Sequence, residues 1–151
     1  LNSSAGDSST GYSVLKRGVR DTEPVIRRKM AFLVGTLVMQ DGEKYEGEIP
    51  GEVRNLVETS AKENGPEGSL VEGLRRGGVF GALVEGLREG GDDVEYDENA
   101  LRALTRAAQR DGLTSEERGA VRAKWAKWGS AGQAERGFEG EDAQEISRIF
   151  A

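Results

Sequence analysis

GGVFGALVEGLREGGDDVEYDENALRALTRAAQRD, residues 77–111, decides the fold class. Val79, Leu83 and Leu87 recur at four-residue steps, with Phe80 and Val84 beside them, which marks one buried helix face. Gly90-Gly91 then supplies a helix stop, because glycine enters the left-handed backbone region without steric penalty. A longer helix follows, opened by Asp97-Glu98-Asn99. Its Ala100, Leu101, Ala103, Leu104, Ala107 and Ala108 form a broad small-residue face. Small side chains let neighbouring helices approach closely, as a stacked helical array requires. Helix, acidic turn and longer helix together make one layer of such an array.

Upstream, Asp21-Thr22-Glu23-Pro24 starts a helix over residues 25–40, with proline suited to its first turn. Ile26, Met30, Leu33, Val34 and Leu37 recur at three- and four-residue steps, while Arg27 and Arg28 fall outside that stripe. Phe32 and Val38 widen the apolar surface, so this helix is expected to be sandwiched between neighbours. Residues 12–20 read as a short helix, and residues 1–11 as a disordered polar tail. Residues 41–51 read as a loop, 52–63 as a helix ended by Asn64-Gly65-Pro66, and 68–76 as a short helix with Leu70, Val71 and Leu74 inward.

Downstream, Asp111-Gly112 stops the long helix. Thr114 and Glu117 have the spacing of a capping box, in which each side chain bonds the other residue's amide. The helix they start carries Val121, Trp125 and Trp128 on its inner side. Residues 129–140 read as a flexible link, and 141–150 as a last helix with Ile146, Ile149 and Phe150 apolar. Alternating strand patterns are confined to a few positions, so the chain reads as all-α.

The chain has 151 residues and a formal net charge of −6, with neither cysteine nor histidine. Length favours one domain. The acidic balance argues against a nucleic-acid surface, which needs a basic face. Without Cys or His there are no disulfides, no Cys/His zinc sites, no thiol nucleophile and no histidine-dependent triad. The apolar run AFLVGTLVM is far short of the roughly 20 residues that span a bilayer, so no membrane insertion is expected. Asn2-Ser3-Ser4 has the form of a glycosylation acceptor, a match that arises often by chance.

Residues 13–40 and 81–109 can be laid over each other as helix, charged turn and longer helix. Both resemble the second and third helices of an armadillo repeat, with HEAT-like repeats as the near alternative. The resemblance rests on Gly78 ahead of the second helix, on Leu83/Val84/Leu87, and on the Ala-rich third helix with Ala100, Ala103, Leu104 and Ala108. It implies an armadillo-like domain over residues 12–151, with an insertion at about 41–68. Each repeat buries its face only against neighbours, so the chain is expected to be the terminal part of a longer solenoid.

Importin-like armadillo proteins grip basic peptides with a ladder of Trp and Asn on their third helices. Here Phe32 and Arg102 stand at the Trp positions, and Thr36 and Arg106 at the Asn positions. In layout the chain is more similar to the C-terminal part of armadillo-type nucleotide-exchange factors of heat-shock protein 70 (Hsp70) chaperones. That resemblance implies a co-chaperone without catalytic activity, cofactor or metal, which binds the chaperone's ATPase domain and promotes ADP release. It implies a cytoplasmic location, or alternatively the endoplasmic reticulum lumen. The competing function is a scaffold or adaptor that binds peptides or other proteins.

Arg102 and Arg106 lie one helical turn apart and are expected to grip a carboxylate-bearing surface. With Arg27, Arg28, Phe32 and Thr36 they form the expected partner-binding set. Lys16, Arg17, Arg20 and Lys29 extend the basic cluster around Arg27 and Arg28, and read equally as a solvated helix face. The acidic insertion (Asp41, Glu43, Glu46, Glu48, Glu52) is an internal candidate to cover it. Asp92, Asp93, Glu95, Asp97 and Glu98 crowd one turn, where acids suit a helix N-terminus better than a calcium loop. The glycine pairs at 77–78 and 90–91 lack the Lys-Ser/Thr of a phosphate loop and read as helix punctuation.

Overall fold

The computed structural model describes residues 8–40, 69–89 and 93–151. Among these residues seven helices form, and no strand: α1 (Ser8–Gly18), α2 (Pro24–Gln40), α3 (Ser69–Arg76), α4 (Val79–Glu89), α5 (Val94–Gln109), α6 (Ser115–Glu135) and α7 (Gly140–Ile149). The expected helix over 52–63, the loop at 41–51, the acidic insertion and the stop at Gly90-Gly91 lie outside the described residues. Helix α1 begins at Ser8, inside the segment read as a disordered tail.

The local signals place the helix ends. Gly78 takes a φ of 80° between α3 and α4, a conformation that glycine reaches without a Cβ clash. Before α6, Thr114 Oγ1 accepts from the Glu117 amide at 3.1 Å and Glu117 Oε1 accepts from the Thr114 amide at 2.9 Å. The box satisfies two donors that the first helical turn leaves orphaned. After α5 the chain closes in a Schellman turn, with Gly112 N–H donating to the Ala107 carbonyl at 2.8 Å and Asp111 N–H to Ala108 at 3.1 Å. The left-handed residue there is Asp111, at φ 57°, and not the glycine. Gly112 is needed for space instead. A Cβ on it would meet Val71 Cγ1 at 2.7 Å, so only glycine lets α3 come this close.

The helices pack in two rows. One contains α1, α4 and α6 and the other α2, α5 and α7, each helix touching the next in its row. Cross-contacts pair α1 with α2, α4 with α5, and α6 with α7, while α3 leans on α2 and α4. The core fills the space between the rows with Leu15, Leu37, Leu74, Phe80, Leu83, Leu101 and Leu104, all essentially inaccessible to water. Helices α2 and α5 run parallel. Asn99 Nδ2, early in α5, donates to the Arg28 carbonyl, early in α2, at 3.1 Å. Later in both, Gly35 faces Ala103, and a Cβ at 35 would sit 3.5 Å from the Ala103 Cα. Parallel stacking of equivalent helices separated by a shorter partner is the arrangement of successive helical repeats.

Three expectations change. Residues 129–140 are not a flexible link: α6 continues to Glu135 beyond a kink at Gly129 (φ 68°, ψ 178°), and α7 starts at Gly140. Inside that segment Phe138 is 1% exposed and stacks edge-on against Trp125 at 5.6 Å. Secondly, α2 packs against α1, α3 and α5 through Leu33, Val34, Leu37 and Val38 but is not covered all round: Val25, Ile26 and Phe32 are 55%, 43% and 59% exposed. Thirdly, α5 opens earlier than Asp97. Its N-cap is Asp93, and Asp97 is buried in the first turn.

Candidate functional site

The α2–α5 seam begins with one carboxylate. Asp93 Oδ1 accepts from the Tyr96 amide at 2.9 Å, which caps α5. The same carboxylate takes Arg28 Nε at 2.8 Å and Arg27 Nη2 at 3.1 Å. Burial raises the Asp93 pKa, but the Tyr96 amide and the Arg28 and Arg27 guanidiniums outweigh it and hold the carboxyl below its ordinary value. Arg27 also donates to the Asp21 carbonyl at 2.9 Å, with its guanidinium 5.6 Å from the Tyr96 ring centroid. Arg27 and Arg28 therefore join two repeats internally. Their partner is Asp93, one of the carboxylates read as capping residues.

One turn further, Asp97 bonds Arg136 Nε at 2.9 Å, both side chains being largely buried. Arg136 lies over the Trp128 ring at 4.5 Å and donates to the Gly132 carbonyl at 3.0 Å. Desolvation pushes the Asp97 pKa upward despite the Arg136 hydrogen bond. This pair fastens the end of α6 to α5. Trp125 donates from Nε1 to Ser147 Oγ at 2.9 Å and Trp128 is half-buried, so the tryptophans close the α6–α7 core.

The two arginines read as a ladder differ in what surrounds them. Arg102 Nε bonds Glu98 at 3.1 Å, its Nη1 lies 4.0 Å from Asp142, and its guanidinium stacks on Phe138 at 4.7 Å. Arg106 reaches back over α2, where a Cβ on Gly35 would lie 3.1 Å from Nη1. Among the described residues no carboxylate forms an ion pair with Arg106. Burial, with Arg102 nearby, lowers its pKa from the ordinary arginine value. A cavity of about 190 Å³ opens here, lined by Arg102, Thr105, Arg106, Gln109, Asp142, Glu145 and Ile146. Phe32 and Thr36 stand on the preceding helix, with the Thr36 hydroxyl donating to the Phe32 carbonyl at 3.2 Å.

The remaining basic cluster is dispersed. Lys16, Arg17 and Lys29 are exposed on α1 and α2, and Arg20 pairs with Glu89 across to α4. Among the described residues no group of three carboxylates is placed to hold a metal ion, and no helix is long and apolar enough to cross a membrane. Asp93 as a shared anchor and Phe138 as a core residue escaped the sequence reading. The sequence signal for Asp93 was its position three residues before Tyr96 at a helix start, a capping arrangement.

The fold and seam define an all-α helical-repeat protein whose polar features lie on side chains between and beside successive layers. No protein-family model matches the chain, and no solved structure matches it. The chain is similar to the Hsp70 nucleotide exchange factor FES1 of Cryptococcus neoformans var. neoformans serotype D (strain B-3501A). The two are 58% identical over 127 residues, which is 84% of this chain and 33% of that relative. The chain thus spans about a third of the length of the curated relative it matches. The likeness in layout to Hsp70 exchange factors agrees with this relative.

Proposed function

We propose that the chain is part of a co-chaperone that binds the ATPase domain of an Hsp70 chaperone and promotes ADP release. The observation that carries this reading is the 58% identity over 84% of the chain to a protein named as an Hsp70 exchange factor. The architecture supports it physically. A stack of parallel helices presents a row of side chains along one face, and a rigid row favours whichever partner conformation fits it. The contact set is Phe32, Thr36, Arg102 and Arg106. Arg27 and Arg28 act indirectly, through Asp93, by setting the register of α2 against α5.

No step of this mechanism needs bond-making chemistry by the protein. Exchange follows from differential affinity for two states of the chaperone, and the reading is therefore non-catalytic. The compartment follows the partner: cytoplasmic chaperones in the leading reading, those of the endoplasmic reticulum lumen in the alternative. Imaging of the tagged full-length protein decides between them. The function is tested by following release of labelled ADP from an Hsp70 ATPase domain with increasing amounts of the chain. Saturable acceleration is expected. An unchanged rate with no detectable complex removes the reading.

A further inference from the structure

The cavity between α5 and α7 has features that packing alone does not require. Thr105 lines it, is 9% exposed, and its hydroxyl oxygen has no hydrogen-bond partner among the described residues. A buried hydroxyl without a partner is destabilising, and such groups are rare in native folds. Next to it in the chain and lining the same cavity, Arg106 carries a half-buried guanidinium that no described carboxylate pairs. Gln109 adds an exposed amide at the mouth. A hydroxyl, a guanidinium and an amide thus line one cavity, and none of them is bonded to a carboxylate among the described residues.

Arg102 does not share this condition, since Glu98 and the Phe138 ring hold it in place. Asp142 and Glu145 form the opposite wall on α7. Their charge sets a ceiling on what enters. A doubly charged phosphate meets repulsion from both, whereas a single carboxylate fits between them and Arg106 with less.

We propose that this cavity is a receptor for one carboxylate side chain, an Asp or Glu, projecting from the protein partner. Arg106 binds it in bidentate fashion, and the Thr105 hydroxyl, closed off from solvent in the free chain, turns to donate to the same group. The assignment deepens the exchange-factor reading, because it gives the chemistry by which the α5–α7 end of the row engages its partner. Carboxylate–guanidinium pairs with matched forks are among the stronger polar contacts at interfaces.

The test has two arms. In the first, isotope-labelled chain is titrated with N-acetyl-aspartate methylamide, and separately with inorganic phosphate, while NMR shifts are followed. Saturable shifts at Thr105, Arg106 and Gln109 are expected with the carboxylate. Arg106→Gln is expected to weaken them about tenfold, and Arg106→Lys by less, as befits loss of the fork with retention of charge. Thr105→Val is expected to raise the melting temperature while weakening carboxylate binding, a combination that a packing role does not produce. Shifts that are diffuse, unaltered by Arg106→Gln, or stronger with phosphate overturn the proposal. In the second arm, binding to an Hsp70 ATPase domain is compared for wild type and Arg106→Gln, with circular dichroism confirming the fold. A loss of about tenfold supports the proposal, and equal affinity overturns it. If the chain takes the carboxylate probe but no ATPase domain, the receptor stands and the exchange-factor reading alone falls.

Discussion

Replacing Asp93 by alanine strikes the seam at its most connected atom group. The substitution removes the N-cap of α5, worth about 1 kcal/mol, and two charge-assisted hydrogen bonds to Arg28 and Arg27. Such bonds are worth about 1.5–3 kcal/mol when shielded. Here Arg27 and Arg28 keep 25% and 35% of their side chains exposed, so solvent screening reduces each to about 1 kcal/mol. The sum is about 3 kcal/mol, a large share of the stability of an ordinary domain. Asp93→Asn separates the parts, since asparagine caps as well as aspartate but carries no charge. It is expected to lose about 2 kcal/mol, because only the ion pairs go. Urea unfolding followed by circular dichroism reads both losses from the transition midpoint at constant slope. A loss under about 1 kcal/mol for alanine, or wild-type stability for asparagine, refutes the claim that this carboxylate joins the two repeats.

Acid should expose the same pair. The Asp93 carboxyl titrates below its ordinary value in the folded chain. Its contribution is therefore complete above about pH 4, the unfolded value, and is lost as pH falls through the folded value; Asp93→Asn should flatten this part of a stability–pH curve. At the second seam, Arg136→Ala strands the buried Asp97 carboxylate and should cost about 3–5 kcal/mol in urea unfolding. Adding Asp97→Asn should restore much of it, and strict additivity of the two would contradict the pairing. At the end of α5, Asp111→Gly should stabilise by up to about 1 kcal/mol by relieving the left-handed residue. Gly112→Ala should destabilise instead, through the contact with Val71; melting temperatures moving in the same direction would contradict the roles assigned to these two residues.

The elements that depend on neighbours in sequence were legible. Gly78 before α4, the Thr114–Glu117 box before α6, and the apolar faces of α4 and α5 all lie within a few residues of the features they determine. What escaped was non-local. Asp97 looked like a helix opener because acids favour first turns, yet its partner Arg136 is 39 residues away in sequence, and no local pattern announces it. Residues 129–140 looked like a linker because glycines are frequent there. Gly129 only kinks α6, Gly137 makes the left-handed cap at φ 87°, and Phe138 drops into the core beside it. Periodicity gave α2 a helix but not its open side: Phe32 and Ile26 fall within the apolar pattern and still face solvent. For the candidate site, the spacing of Arg102 and Arg106 placed both on one face. Only the packing of α7 and Phe138 distinguishes the engaged arginine from the one that no described carboxylate pairs.

Linkage offers the most direct measurement of the central claim. If the chain promotes ADP release by stabilising the open ATPase domain, ADP must weaken the chain's own binding by the same factor. Calorimetric titration of an Hsp70 ATPase domain with the chain, without nucleotide and with saturating ADP, measures that factor. The account predicts clearly tighter binding without ADP. Equal dissociation constants in the two conditions would contradict it.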